Sequence, residues 1–88
     1  MVLNLKNRKM SKIVPDESLD LRGVPCPQNS AKALIKLAGM DTGLVLELII
    51  DDGEPYENVP ESLENEGYKL IGKKKETGSV WHLFVESL

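Results

Sequence analysis

The sequence holds one cysteine, one histidine and only four aromatic residues in 88. A single cysteine excludes an internal disulfide and a cysteine-built zinc site. A lone thiol also fits a reducing cytoplasm better than a secreted setting. His82 has no second histidine and no cysteine at ligand spacing, so it reads as a strand residue without catalytic duty. No apolar run approaches the roughly 20 residues that a bilayer span requires, and the N-terminus lacks an apolar core of signal-peptide length. Phosphate-binding glycine loops, dinucleotide fingerprints and hydrolase triads are also missing. Neither a metal nor an organic cofactor is expected.

Acidic residues are absent from positions 1–15, which carry Lys6, Arg8, Lys9 and Lys12. Of the eleven basic residues seven remain for the rest of the chain, against fourteen acids. Residues 1–15 therefore read as a flexible, solvated basic arm, and residues 16–88 as one small domain. The acidic body argues against binding a phosphate backbone. The group Asp51, Asp52, Glu54 and Glu57 lacks the spacing of a calcium loop and reads as a solvated loop near one sheet edge.

The stretch Leu19–Asn29 organises the domain. Leu19 and Leu21 alternate with Asp20 and Arg22, the period of a half-buried strand. Gly23 and Pro25 end it. Pro27 suits the first position of a helix, where its missing N–H costs nothing. That spacing places Cys26 at the N-cap, facing free backbone N–H groups and the positive end of the helix dipole. Both favour thiolate over thiol, and the thiolate is the nucleophile. The backbone N–H groups of Gln28 and Asn29 are the expected donors to it. Arg22 is a further candidate for that task, and Asp20 is expected to order the turn or pair with Arg22.

The rest of the chain reads in order. Ala31, Leu34, Ile35 and Ala38 form one apolar face of a first helix over 27–38. Leu44–Ile50 is the strongest strand, apolar enough for both faces to be covered. A second helix over 55–66 presents Tyr56, Val59 and Leu63, with Asn58-Val59-Pro60-Glu61 read as its cap. Strands over 68–76 and 80–86 follow, joined by a Thr77-Gly78 turn. Lys73-Lys74-Lys75 reads as a guard against edge-to-edge aggregation. The order β-α-β-α-β-β predicts an α+β two-layer sandwich, with a four-stranded mixed sheet and two helices on one face.

The motif Leu-Asp-x-Arg-Gly-x-x-Cys-Pro resembles the signature of the TusA/SirA-like sulfur-carrier (sulfurtransferase) family. The likeness runs from about Ser18 to Val85 and includes the Gly43-Leu44-Val45-Leu46 strand and the Asn58-Val59-Pro60 segment. The resemblance implies the same two-layer fold and a sulfur relay. Cys26 would take sulfane sulfur as a persulfide and pass it on. Asp20, Arg22, Gly23, Pro25, Pro27, Gln28 and Asn29 would support it. It also implies two partners: a donor of cysteine desulfurase or rhodanese type, and an acceptor protein. The family's motif ends Cys-Pro-x-Pro, whereas Asn29 stands at its last position here. Asparagine returns an N–H that proline lacks, so thiolate stabilisation is expected to survive on a turn that a partner must approach. The alternative reading is a non-catalytic interaction or regulatory module with a structural or redox-sensitive cysteine.

Overall fold

The computed structural model describes residues 14–76 and 78–88. The arm expected over 1–15 therefore falls, apart from Val14 and Pro15, outside the described residues, as does Thr77 of the expected turn. The elements are β1 (Glu17–Asp20), α1 (Gln28–Ala38), β2 (Val45–Asp51), α2 (Glu54–Asn65), β3 (Lys69–Glu76) and β4 (Val80–Glu86). The sheet order is β1-β2-β4-β3. β1 and β2 are parallel, with Leu19 opposite Leu48. β4 runs antiparallel to both β2 and β3. The expected four-stranded mixed sheet is present, with a parallel first crossover and a final hairpin.

Strand alternation decides which face the helices cover. Leu46, Leu48 and Ile50 of β2 and Leu83 and Val85 of β4 are fully buried. They meet Ala33 and Leu37 of α1, Val59 and Leu63 of α2, and Leu21 and Met40. Val45, Glu47 and Ile49 of β2, with His82 and Phe84 of β4, lie on the opposite face and stay half-buried. The expectation that both faces of β2 are covered is thus corrected. Neighbouring side chains shade the second face, but no helix or strand among the described residues lies over it.

The buried face of α1 is also corrected. Ser30, Ala33 and Leu37 are buried with Leu34 half-buried, while Ile35 is 74 % exposed and Ala31 and Ala38 are exposed. Two overlapping sets at i, i+3, i+4, i+7 compete, and hydropathy favours the wrong one. Small side chains at positions 30 and 33 let the helix pack closely, and dense packing outweighs one isoleucine.

Asn58 and Pro60 lie inside α2, so they are not its cap. Gly53 caps the helix with φ +92°, a region that L side chains avoid. The loop before α2 ends there, five residues earlier than the cap reading placed it. Tyr56 then stacks on Trp81 of β4, with ring centroids 4.1 Å apart. Lys73 of β3 bonds the Tyr56 hydroxyl at 2.9 Å, and Trp81 donates its indole N–H to Asp52 at 2.9 Å. The lysines of β3 do line an edge strand, but Lys73 and Lys75 also lie over these rings at 5.5–5.9 Å. No helix among the described residues is long and apolar enough to cross a membrane.

Candidate functional site

Cys26 is a free, exposed thiol on the turn between β1 and α1. Three anchors hold that turn. Leu21 is buried in the core at 2 % exposure and donates its N–H to Ile49 of β2. The Leu21 carbonyl accepts the Val24 N–H at 3.1 Å. Gly23, with φ +77° and no atom near a would-be Cβ, donates its N–H to Asp51 Oδ2 of β2 at 2.7 Å. The glycine is needed there for its backbone angle alone. Pro25 and Pro27 flank the cysteine, and both are exposed.

The helix begins one residue later than the sequence suggests. Pro27, not Cys26, is the N-cap of α1, with φ −95° and ψ 11°. The first turn then closes on itself. The Asn29 N–H donates to the Pro25 carbonyl at 3.0 Å and the Ala31 N–H to the Pro27 carbonyl at 3.1 Å. The Ser30 N–H donates to Asn29 Oδ1 at 2.7 Å. The expectation that the Asn29 amide serves the thiolate is therefore corrected, because its hydrogen already has an acceptor. Asn29 is also fully buried, so it does not belong to the surface that a partner would meet. Gln28 is exposed at the start of the helix.

Arg22 and Asp20 find each other. The guanidinium binds the carboxylate with both arms, Nε to Oδ1 at 2.9 Å and the terminal nitrogen to Oδ2 at 2.6 Å. The Arg22 backbone N–H adds a third bond to Oδ1 at 3.0 Å. These contacts, led by the guanidinium, hold the Asp20 carboxyl down at about 2. The pair orders the strand end, and the Arg22 fork is directed at Asp20.

Two further residues matter here. Asp51, one of the loop acids, clasps the glycine turn; the parallel crossover, which brings the ends of β1 and β2 to one edge, places these acids near the cysteine, though not the bond itself. Asn58 of α2 points its carboxamide at the sulfur, with Nδ2 3.9 Å from Cys26 Sγ. Nothing in the spacing of Asn58 and Cys26, 32 residues apart, announces that contact. Among the described residues no group of three or more His, Cys, Asp or Glu side chains is arranged to hold a metal ion.

Comparison with known proteins bears directly on this turn. The profile of the family described as "Sulfurtransferase TusA" matches residues 17–87. A protein of Archaeoglobus fulgidus assigned as a sulfur carrier is 29 % identical over 86 residues, covering 98 % of both chains. YedF of Escherichia coli K12, also assigned as a sulfur carrier, is 30 % identical over 74 residues, covering 84 % of this chain and 96 % of its own. A SirA-like protein of Desulfitobacterium hafniense, solved by crystallography, shares the fold with a TM-score of 0.70 at 21 % identity. It covers 80 % of this chain and 95 % of that one. With the profile spanning most of its length, from the first strand through the fourth, this chain belongs to the TusA family.

Proposed function

We propose that the protein carries sulfane sulfur as a persulfide on Cys26 and hands it to an acceptor protein in a sulfur relay. The observation that carries this reading is an exposed, unpaired thiol between two prolines, on a turn tied to the core, in a chain of the TusA family. The relatives assigned as sulfur carriers support the carrier role.

The chemistry needs only one sulfur atom of this chain. In loading, the Cys26 thiolate attacks the terminal sulfur of a donor persulfide. The new Sγ–S bond forms, the donor's S–S bond breaks, and the donor leaves as a thiolate. In release, an acceptor thiolate attacks the same terminal sulfur, and Cys26 Sγ is the leaving group. Sulfane sulfur is transferred at each step without an outside oxidant or reductant. The sequence has no second cysteine to intercept the persulfide, so a donor of cysteine desulfurase or rhodanese type and a separate acceptor are required. A reducing cytoplasm suits the lone thiol.

Intact mass tests this reading. The protein is incubated with cysteine and a cysteine desulfurase, or with thiosulfate and a rhodanese. A gain of one sulfur atom, reversed by reductant and absent from Cys26→Ser, is expected. No gain from either donor would overturn the reading and favour an interaction module.

A further inference from the structure

The Cys26 sulfur needs a donor wherever it carries negative charge. Of the expected donors, the Gln28 N–H makes no hydrogen bond to the sulfur among the described residues, and the others are committed elsewhere. The amides of Asn29, Ser30 and Ala31 donate to oxygen acceptors, and the Arg22 guanidinium is bound to Asp20. Asn58 is different. Its Nδ2 reaches Sγ at 3.9 Å from a separate element. A thiolate can only accept, so the amide hydrogen is the group that it meets.

The rest of α2 fixes that donor in place. Val59, next in the chain, is fully buried in the core. Tyr56, two residues before, is stacked on Trp81 and bonded to Lys73. Asn58 is half-buried between them, so its carboxamide is presented by a helix rather than by a loose loop. It also brings no charge. Asp51, Asp52, Glu54 and Glu57 follow one another at the junction of β2 and α2, and a carboxylate at position 58 would add to their field.

We infer that Asn58 is a further catalytic residue of the sulfur transfer, donating its side-chain N–H to Cys26 Sγ as nucleophile in loading and as leaving group in release. The inference rests on the carrier reading for those two steps. The two steps gain unequally. A donor raises the thiolate fraction but blunts nucleophilicity, so loading gains little once the thiol is ionised. In release, charge builds on Sγ as the S–S bond breaks, and the hydrogen bond strengthens with it. Asn58 therefore helps release more than loading.

Two readouts on the full chain test this with Asn58→Ala and Asn58→Asp, each first checked by circular dichroism to be folded. The first is the rate of Cys26 alkylation by iodoacetamide against pH. The second uses protein persulfidated with inorganic polysulfide and stripped with cyanide. There cyanide takes the terminal sulfur as thiocyanate, and Cys26 departs as thiolate with loss of the persulfide proton. In Asn58→Ala the pH 7 alkylation rate and the stripping rate are each expected to be about threefold to tenfold lower. Asn58→Asp loses more, because a carboxylate beside the sulfur opposes the anion. Profiles of both variants that superimpose on the parent's would overturn the inference while leaving sulfur carriage intact. Conversely, a parent that takes no sulfur from desulfurase or rhodanese defeats the carrier reading, while alkylation still measures the hold of Asn58 on the thiolate.

Discussion

Asp51, the last residue of β2, accepts the backbone N–H of Gly23 at 2.7 Å. This bond joins the turn that carries Cys26 to the central part of the sheet, three residues from the sulfur. Between an exposed turn N–H and a half-buried carboxylate, such a bond contributes about 1.5 kcal/mol, the low end of the charge-assisted range. Asp51→Ala is expected to lower stability by about 1–2 kcal/mol and to slow persulfide loading, because the turn no longer holds its shape. Asp51→Asn keeps an acceptor oxygen and should recover most of both. Urea unfolding and the loading rate by mass spectrometry check this. Equal losses in the two variants would mean that the carboxylate acts through charge rather than through the Gly23 bond.

His82 stands between two glutamates on the open face of the sheet. Its Nδ1 is 2.7 Å from Glu47 of β2 and its Nε2 is 2.5 Å from Glu76 of β3. The bond to Glu76 leads in raising the imidazole above its ordinary value near 6.5, with Glu47 adding to it against partial desolvation. The sign follows from linkage. A raised folded-state value means that the folded protein holds the proton more tightly than the unfolded chain. The stabilisation is therefore complete below about pH 6.5 and is lost as pH climbs through the raised value. Glu76 shifts the other way, lowered chiefly by the same bond, so its share disappears as acid protonates it. Unfolding free energy should fall as pH rises above about 6.5 in the parent, and His82→Gln should flatten that slope. Proton NMR of the one histidine gives its titration directly, and a midpoint at or below 6.5 would contradict the paired geometry.

Much of this fold was legible because alternation and turn chemistry agree. Leu46, Leu48 and Ile50 share a face by strand period, and so do Trp81, Leu83 and Val85. Which set faces inward was decided only when β4 paired between β2 and β3. The Cys26 turn was found through Gly23 and the two prolines. Its details were not: Pro27 fits the first helical position by local rule, yet it is the N-cap of α1. The face of α1 was misjudged for a related reason. Hydropathy ranks Ile35 above Ser30, but close approach between layers rewards small side chains. Asp51 is legible only as far as the parallel crossover, which sets the ends of β1 and β2 at one edge; its bond to Gly23 spans 28 residues. Asn58 is illegible for a deeper reason, because its contact with Cys26 spans 32 residues and no local pattern encodes a partner at that separation.

Trp81 joins the start of α2 to the sheet and so stands behind the position of Asn58. It stacks on Tyr56 at an interplanar angle of 18° and bonds Asp52 through its indole N–H. Trp81→Ala removes the stack, the bond and a large half-buried surface together, and is expected to cost about 2–4 kcal/mol. Trp81→Phe retains a ring for Tyr56 and should lose about 1–2 kcal/mol. Lys73→Met removes the Tyr56 hydroxyl bond and two exposed cation–π contacts, to the Tyr56 and Trp81 rings, about 0.5–1 kcal/mol. Circular dichroism during urea unfolding orders the three variants. A Lys73→Met loss equal to that of Trp81→Ala would make the lysine, not the stack, the anchor of α2.

Ser30 and Asn29 form a polar pair inside the first turn of α1, where a carrier of this size would gain most from apolar packing. Ser30 is 6 % exposed and Asn29 fully buried. The Ser30 hydroxyl and Asn29 Nδ2 have no partner among the described residues. A buried hydroxyl without a partner carries its full desolvation penalty, and serine forms helix less readily than alanine. Ser30→Ala removes the hydroxyl without opening a cavity and leaves the backbone bond to Asn29 Oδ1 in place. It is expected to raise stability by about 1 kcal/mol, a melting temperature higher by about 4–8 °C for a domain of this length. Asn29→Ala should do the opposite, because it deletes the acceptor of the Ser30 N–H and leaves a void where the carboxamide packed. Both can be read from thermal melts together with Cys26 alkylation. If Ser30→Ala instead destabilises the protein and slows alkylation, the hydroxyl belongs to the hydrogen bonding of the cysteine turn. The polar pair would then be retained for the sulfur chemistry rather than tolerated by the core.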